Sequence, residues 1–433
     1  MSDWALGGPQ ETGLGYHSDL AIRLGEEGPG YAKIMGRYVC AACFEDDALK
    51  ALIEDEADQN RCDYCGRESD APIAAALDDL VSVMRLSIER EWTNADHALP
   101  RDPETGELML EPTVDTETLL THHIGLDLPN DDGSLFQDIA AALPDCVWCR
   151  DDPLVSSRDE AIANSWRSFC QIICHQRRFF FMQHETPDLD RDIEQAHAAY
   201  TVPELLEALI DYAEQAGLFT RVPPGTTYVR CQSKPDSAAP AFAPERMASP
   251  PIALAVQTNR MSPPGISMFY GAETAETALA EIASETGRFA RGDFRLLREA
   301  VLLDLRTAPP VPSLFDQGRA EERPFALFMR EFVSDFRKPI ADTDRKHVDY
   351  VPTQVVTEYI RSVARSGGLP IDGILYSSTK AEGKTAVVLF ADNAAVVRAV
   401  ALEPWELDSD VEPWLEMIGY GEGVYDYGTG TFA

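Results

Sequence analysis

Residues 269–281, FYGAETAETALAE, decide how the C-terminal half of the chain folds. The stretch begins in a short apolar run, predicted as a strand over 267–270. Thr274 then opens an alanine-rich helix, predicted over 274–283. The strand carries Tyr270 and the helix ends in a carboxylate, Glu281. We therefore expect consecutive elements of the chain to supply a tyrosine and a glutamate.

Short runs with strand character continue on both sides of this unit, separated by loops rich in proline and glycine. Strands are predicted over 226–230, 300–305, 373–376 and 386–390, with one further helix over 353–364. Strands that alternate irregularly with few helices favour a mixed α+β domain rather than a doubly wound parallel sheet. This domain is predicted over 219–401.

The segment before this domain, 73–218, has the apolar spacing of helices. Buried helix faces are predicted for Leu77, Leu80, Val81, Met84, Ile88 and Trp92, and for Trp166, Phe169, Ile173 and Phe180. Ser157 with Glu160 forms a predicted capping box. Thr201 and Pro203 open a later helix that Gly217 closes. The segment is therefore predicted to be an all-helical domain.

Residues 1–72 carry four cysteines, Cys40, Cys43, Cys62 and Cys65, in two C-x2-C pairs. Their spacing is that of a zinc ribbon, in which four thiolates hold one structural Zn²⁺ and leave no ligand position open for catalysis. Two disulfides or free thiols are the alternatives. Cys146 and Cys149 form another C-x2-C without a matching pair, and Cys170 and Cys174 are predicted to pack in a helical core.

The chain is strongly acidic, with 37 basic and 73 acidic residues among 433. A net charge of −36 argues against nucleic-acid binding and against anionic membrane surfaces, so an anionic ligand needs a local basic pocket. No apolar stretch is long enough to span a membrane, and residues 1–15 lack a secretory h-region, which predicts a cytoplasmic protein. The acidic tail, 402–433, is expected to dock through Trp405 and Trp414 and to be loose over 419–433.

Four segments of the C-terminal half offer groups that suit a dinucleotide. They hold Arg230 at the end of a short strand, Arg260 in the loop NRMSPPG (259–265), Tyr270 with Glu281, and Ser377-Ser378 in DGILYSS (372–378). Arginines bind diphosphate oxygens, an aromatic ring stacks on a base, and a carboxylate stabilises an oxocarbenium-like ribose. Taken one at a time, these residues are better explained in ordinary ways: Arg230 as a surface charge, Tyr270 as a core residue, Glu281 as a solvated helix residue and Ser378 as a turn former.

As an ordered set, the four segments resemble the RES domain, a family named for an Arg, a Glu and a Ser. Arg230, Arg260, Tyr270 and Glu281 match its motifs, and alignment on the tyrosine of its DGI-x-Y-x-S strand selects Ser378. Asn259 and Met261 depart from the glycine and the aromatic residue usual in the arginine loop. Residues 347–358 look like the version that follows a zinc-bearing helical region, so the whole chain resembles the HEPN/RES subgroup.

The resemblance implies a fold related to ADP-ribosyltransferase toxins, with NAD⁺ in a cleft of a split mixed sheet. It also implies an NAD⁺ phosphorylase that acts as a toxin or defence effector, producing nicotinamide and ADP-ribose-1″-phosphate. In that scheme Arg230 and Arg260 bind the diphosphate or the incoming inorganic phosphate. Tyr270 stacks on nicotinamide, Glu281 stabilises the ribose cation and Ser378 orients the ribose or nicotinamide end.

Other functions stay open at this stage. The same fold also serves protein ADP-ribosyltransferases, and Arg178-x5-His184 is a weak match to the R-x4–6-H pair of HEPN ribonucleases. A third alternative is a non-catalytic binding protein. The sequence leaves open whether phosphate or water is the acceptor, whether an antitoxin or regulatory protein binds, and whether the chain forms homo-oligomers.

Overall fold

A computed structural model describes residues 34, 36–102, 105, 108, 113–150, 158–179, 200–337, 345–381, 383–397 and 413–433. The chain divides into two compact units. The first contains residues up to Ser157 together with Pro312–Ala320, and the second contains Arg158–Val311 and Glu321–Ala433. The predicted helical span 73–218 is therefore shared between the two units. None of the described helices has the length and apolar character needed to cross a membrane.

The first unit consists of short elements. In chain order they are β1 (Tyr38–Cys40), α1 (Asp47–Glu56), β2 (Ala74–Ala76), α2 (Leu77–Ile88), β3 (Trp92–Asn94), α3 (Ala95–Ala98), α4 (Thr116–Thr118), α5 (Ser134–Ala142) and β4 (Trp148–Arg150). Strands β1 and β2 pair antiparallel, as do β3 and β4.

One core joins the cysteine-bearing segment to the helices of this unit. Cys40, Cys43 and Cys62 are buried in it with the apolar face predicted for α2, which includes Leu80 and Met84. Asp46 caps α1 by accepting hydrogen bonds from the N–H groups of Ala48 and Leu49. The zinc-ribbon-like segment and the first helices thus form one packed body.

The second unit is built on a single large sheet. Its helices are α6 (Arg158–Gln171), α7 (Val202–Gln215), α8 (Pro244–Met247), α9 (Ala275–Ile282), α10 (Arg323–Arg337), α11 (Lys346–Asp349) and α12 (Val351–Ser362). Its strands are β5 (Phe219–Val222), β6 (Thr227–Ser233), β7 (Phe269–Ala272), β8 (Gly287–Leu296), β9 (Ala300–Leu305), β10 (Arg365–Ser366), β11 (Leu369–Pro370), β12 (Gly373–Ser377), β13 (Thr385–Leu389), β14 (Val396–Val397), β15 (Leu415–Asp426) and β16 (Thr431–Phe432).

The sheet has ten strands in the order β14-β15-β8-β6-β7-β13-β12-β9-β5, with β16 paired to β15. It is mixed, because β12 runs parallel to β9 and β14 parallel to β15, whereas the other pairs are antiparallel. This confirms the predicted mixed α+β architecture and all five predicted strands. The strands β5, β8 and β15 and the helix α10 were not predicted from the sequence.

The helices α6, α7, α10 and α12 pack on one face of this sheet. Their core contains Trp166, Leu209, Phe332 and Ile360, and the half-buried Cys170 and Cys174 pack against it as predicted. Helix α7 begins after Thr201 as predicted, with a capping box between Thr201 and Glu204, and Gly217 follows its end with φ 67°. Ser157, the other predicted cap, lies outside the described residues.

The expectation of a loose C-terminal end is wrong. Residues 415–426 form the twelve-residue strand β15, which pairs with β8 over ten registered positions. Two acidic residues of this strand have basic partners: Glu416 pairs with Arg295 on the neighbouring strand β8, and Glu422 pairs with the buried Lys234, which follows β6. Trp414 is buried as expected, whereas Trp405 lies outside the described residues.

The sheet opens between β6 and β7. These strands are paired at a single position, Val229 with Ala272, whereas β6 pairs with β8 at seven positions and β13 pairs with β7 at four. Beyond that point the two strands diverge, which leaves a cleft in the middle of an otherwise continuous sheet. Arg230 and Tyr270 lie on opposite sides of this cleft.

The Asp372-Gly373 pair at the start of β12 has a structural explanation. The Asp372 carboxylate accepts hydrogen bonds from the N–H of Val301, at 2.9 Å, and from the guanidinium of Arg298, at 2.7 and 3.0 Å. A Cβ atom on Gly373 would lie 2.3 Å from the Val388 carbonyl oxygen and 3.1 Å from the Leu389 Cα. Only glycine therefore allows β12 and β13 to approach this closely.

We predict that Gly373→Ala destabilises the second unit by about 2–3 kcal/mol, because the strands must separate to admit the methyl group. Gly421→Ala is the matched control, since Gly421 also lies in a strand of this sheet but has no atom within 4 Å of its added Cβ. Urea unfolding followed by circular dichroism compares the two variants. Equal stability of the two would contradict this account.

Candidate active site

The cleft between β6 and β7 leads into a cavity of about 910 Å³ within the second unit. This volume is near the upper end of the range of roughly 300–1,000 Å³ found for ligand pockets, so it suits an extended ligand. Four of the residues selected from the sequence line it: Arg230, Arg260, Tyr270 and Glu281. The structure therefore brings together side chains that are up to 51 positions apart along the chain.

Arg230 bridges the opening in the sheet. Its Nη1 donates a hydrogen bond of 2.8 Å to the backbone carbonyl of Tyr270, in the place where a backbone N–H of β6 would serve in a continuous ladder. Its Nε is buried without a hydrogen-bond partner. Burial lowers the pKa of the Arg230 guanidinium to about 10, so the group is still cationic at neutral pH. The side chain therefore keeps a donor and a full charge for a ligand.

Arg260 is held by the segment that follows α11. The hydroxyl of Thr353 donates to the Arg260 carbonyl at 2.5 Å, and the Gln354 amide donates to the Asn259 carbonyl at 2.7 Å. The Arg260 guanidinium donates from Nη1 to the carbonyl of Phe336, in the last turn of α10, at 2.8 Å. Since Thr353 and Gln354 are buried, they fix the arginine loop through its backbone.

Tyr270 is oriented by the same loop. Its hydroxyl lies 2.9 Å from the Ser262 hydroxyl, and the Ser262 oxygen also accepts from the Asn259 amide at 3.2 Å. Burial raises the pKa of Tyr270 to about 12, so the phenol is neutral at physiological pH. A neutral, fixed ring in the cavity wall is suited to contact a planar group of a ligand.

Glu281 lies in the last turn of α9, the helix predicted to end in a carboxylate. The helix packs through Ala278 and Leu279 on the core that includes Val229 of β6, which directs its C-terminal turn to the cavity. The Glu281 Oε1 atom is buried and has no hydrogen-bond partner. Burial, and then the charge of Glu281, raises the pKa of the neighbouring Tyr376. A buried carboxylate oxygen without a partner is costly, and such costs are commonly found at functional sites.

Ser378 is placed differently from the other four residues. Ser378 is buried and is not among the described residues that line the cavity. Its hydroxyl accepts hydrogen bonds from the N–H groups of Lys380, at 3.2 Å, and Ala381, at 2.9 Å. Ser378 thus shapes the turn between β12 and β13, and this turn carries Lys380 to the cavity wall.

Two lysines and two tyrosines of this wall were not predicted from the sequence: Lys346, Lys380, Tyr350 and Tyr376. Tyr376 and Tyr350 belong to segments that resemble the RES domain, but neither tyrosine was predicted to line the site. Nothing in the local sequence distinguished the two lysines from the other cations of the chain. Lys380 donates from Nζ to the backbone carbonyl of Glu281 at 3.1 Å, so it meets the end of α9.

The cavity is a basic island in an acidic protein. Two arginines and two lysines line it together with one carboxylate, Glu281, although the chain carries a net charge of −36. Such a wall attracts an anionic ligand and can place one carboxylate beside a centre that becomes positive.

The sequence also suggested a ribonuclease pair, Arg178 and His184. The structure describes Arg178, but His184 lies outside the described residues.

The four N-terminal cysteines converge in the first unit. The Sγ atoms of Cys40 and Cys43 are 3.9 Å apart, those of Cys40 and Cys65 are 3.5 Å apart, and those of Cys43 and Cys62 are 3.6 Å apart. Tetrahedral Zn–S bonds of about 2.3 Å place sulfurs about 3.8 Å apart, so the donor set fits such an ion. Burial, assisted by the Cys65 thiol, raises the pKa of Cys40 to about 11, so four thiolates need a cation. Among the described residues this is the one cluster arranged to hold a metal ion.

Comparison with known proteins finds two matching family models. The model described as HEPN/RES N-terminal domain 1 matches residues 55–187, and that of the RES domain matches residues 227–410. The second match contains the cavity-lining Arg230, Arg260, Tyr270 and Glu281 as well as Ser378. No curated protein matches the chain. The chain therefore contains a RES domain over residues 227–410, preceded by a HEPN/RES N-terminal domain over residues 55–187.

Proposed function

We propose that this chain cleaves the nicotinamide–ribose bond of NAD⁺ and transfers the ADP-ribosyl group to inorganic phosphate. RES domains are generally associated with enzymes that act on NAD⁺. The observation that carries the proposal for this chain is the buried, unpartnered Oε1 of Glu281 in a cavity lined by Arg230 and Arg260. The split mixed sheet around the cavity is in keeping with a fold related to ADP-ribosyltransferase toxins.

The chemistry needs one negative group and no proton donor. The nicotinamide of NAD⁺ is a pyridinium, so when the C–N bond breaks it leaves as a neutral molecule with the bonding electron pair. The ribose carbon then becomes oxocarbenium-like, and a carboxylate beside it stabilises that charge. Glu281 has this role, while Tyr270 contacts the nicotinamide ring and Tyr376 closes the wall beside the carboxylate.

The arginines bind the diphosphate of NAD⁺. Arg230 has an unpartnered buried Nε, and Arg260 keeps further guanidinium donors beyond the one bound to Phe336. Lys346 and Lys380 add two cations to the same wall, and this excess supports a second anion, the incoming phosphate. A phosphate oxygen forms the new bond to the ribose carbon, giving ADP-ribose-1″-phosphate. An enzyme that consumes NAD⁺ in this way would act as a toxin or defence effector in the cytoplasm.

The central test is NAD⁺ consumption by the purified chain with and without inorganic phosphate, with products resolved by mass. We expect nicotinamide and ADP-ribose-1″-phosphate to appear only with phosphate. Glu281→Gln should lower kcat by about 100-fold or more with an unchanged melting temperature, because the oxocarbenium-like ribose loses its counter-charge. Glu276→Gln is the matched control, since Glu276 is exposed in the first turn of the same helix.

Each failure has a distinct meaning. Free ADP-ribose would make water the acceptor, and an ADP-ribose adduct on a protein would make the chain a protein ADP-ribosyltransferase. Full activity of the Glu281→Gln variant would remove the role given to this carboxylate. No NAD⁺ consumption under either condition would contradict the proposed function of the isolated chain.

Ser378 acts through the turn that it stabilises. Ser378→Ala removes the acceptor for the N–H groups of Lys380 and Ala381, so Lys380 loses its fixed position. We expect Ser378→Ala and Lys380→Ala each to raise the KM for phosphate or NAD⁺ by about 10-fold, with a smaller change in kcat. Their effects should not add in the double variant, because both remove the same cation from the cavity.

Additive losses in that double variant would show that Ser378 contacts the substrate directly. Ser378→Thr keeps the hydroxyl oxygen and is the conservative control. If it restores the KM, the loss in Ser378→Ala comes from the missing hydrogen bonds and not from a general loss of fold.

The cysteine cluster is proposed to hold one structural Zn²⁺. The bound ion would tie β1 and its following turn to the loop that carries Cys62 and Cys65, and four thiolate ligands leave it no open position for chemistry. Cys43→Ser/Cys62→Ser should lose the metal and reduce the free energy of unfolding of the first unit by more than about 3 kcal/mol.

Native mass spectrometry of chain purified with zinc measures the metal content. Cys146→Ser is the control, because Cys146 lies outside the cluster and should leave one zinc per chain. Retention of zinc by the double variant, or its absence from the wild-type chain, would contradict the assignment.

A further inference from the structure

Helix α6 falls in one domain by its sequence match and in another body by its contacts. Its residues, Arg158–Gln171, lie within the span 55–187 matched by HEPN/RES N-terminal domain 1. In the structure they belong to the second unit, together with the large sheet and the cavity. The core that contains Trp166 of this helix also contains Phe332 and Phe336 of α10. A helix from the N-terminal match is therefore part of the body that forms the candidate active site.

Trp166 holds the C-terminal part of α10 in two ways. Its indole Nε1 donates a hydrogen bond of 3.2 Å to the Asp335 carboxylate. Its ring packs edge-on against Phe332 at 5.2 Å between centroids, and Phe332 packs against Phe336 at 5.4 Å. All three rings are buried, in a core where close packing limits their movement. The last turn of α10, which ends at Arg337, is thus fixed on α6 by one polar contact and one set of aromatic contacts.

This last turn supplies the acceptor for Arg260. The Phe336 carbonyl is among the last four of α10, which have no partner inside their own helix, and it accepts from the Arg260 Nη1 at 2.8 Å. The partial negative charge at the helix C-terminus also attracts a guanidinium. Since Asp335 and Phe336 are consecutive, the hydrogen bond from α6 is made next to the one that holds the arginine. We propose that Trp166 and Asp335 are positioning residues that set Arg260 through the last turn of α10, an inference that rests on the proposed function.

The two positioning residues act at a distance from the ligand. Neither Trp166 nor Asp335 is among the described residues that line the cavity, so they reach a substrate through the arginine. Arg260 is held at both ends, with its backbone carbonyl bound by Thr353 and its guanidinium bound by the Phe336 carbonyl. Loss of the support from α6 should therefore free the guanidinium and leave the loop backbone in place. In this way the N-terminal match contributes to substrate binding without contacting the substrate.

The first test measures how fast phenylglyoxal, an arginine reagent, modifies Arg260 in the full chain, read by peptide mass spectrometry. In Asp335→Ala we expect the rate at Arg260 to rise about 5-fold, the factor that corresponds to one lost hydrogen bond of ordinary strength. Asp335→Asn keeps an acceptor oxygen for the indole and should react at the wild-type rate. Glu331→Ala is the matched control, since Glu331 is an exposed carboxylate one turn earlier on the same helix.

The second test uses NAD⁺ turnover. Asp335→Ala should raise the KM for NAD⁺ about 5-fold, with less than about a 2-fold change in kcat, because the arginine binds the substrate and does not react. In an Arg260→Ala background the same change should have no further effect, because both changes act on one guanidinium. Asp335→Asn should restore the KM.

A labelling rate in Asp335→Ala equal to that in Glu331→Ala overturns the positioning role, as does an equal rise in KM with and without Arg260. If the wild type consumes no NAD⁺, the proposed function has failed, and the labelling rates alone then decide. Faster modification of Arg260 in Asp335→Ala, reversed in Asp335→Asn, supports the positioning role even so, whereas an unchanged rate overturns it.

Discussion

The hydrogen bond from Arg230 to the Tyr270 carbonyl is made where the central sheet stops being continuous. Strands β6 and β7 share one registered pair, and beyond it a guanidinium takes the place of a backbone donor. A side chain reaches farther than an N–H, so the strands can diverge without leaving that carbonyl unpaired. The same contact spans the opening and places a cation in the wall of the cavity.

The other parts of the site are arranged around this opening by backbone contacts. The loop with Arg260 is bound by Thr353 and Gln354, α9 is packed on β6, and the turn after β12 is closed by Ser378. In each case a buried polar or apolar contact holds the main chain, and a charged side chain of that segment lines the cavity. Such support from rigid elements keeps charged groups in a fixed geometry, which electrostatic stabilisation requires.

The net charge of −36 is offset in different ways along β15 and in the cavity. Along β15, acidic residues form ion pairs with basic ones: Glu416 pairs with Arg295 on β8, and Glu422 pairs with the buried Lys234. In the cavity, cations outnumber the single carboxylate, so the local potential opposes that of the whole chain. The acidic composition therefore says little about the ligand, because the ligand meets the local field of the cleft.

The sequence by itself determined the short-range features: the strand and helix that carry Tyr270 and Glu281, the spacing of the four cysteines, and the RES domain that the chain contains. These depend on residues that are close along the chain or on motifs that can be matched in order. The tertiary structure alone decided that β15 joins the sheet, that Ser378 is turned away from the cavity, and that Lys346 and Lys380 are part of it. The pairing of β15 and the set of side chains that line the cavity depend on contacts between residues far apart in sequence, and neither local propensity nor spacing contains the free energy of such contacts.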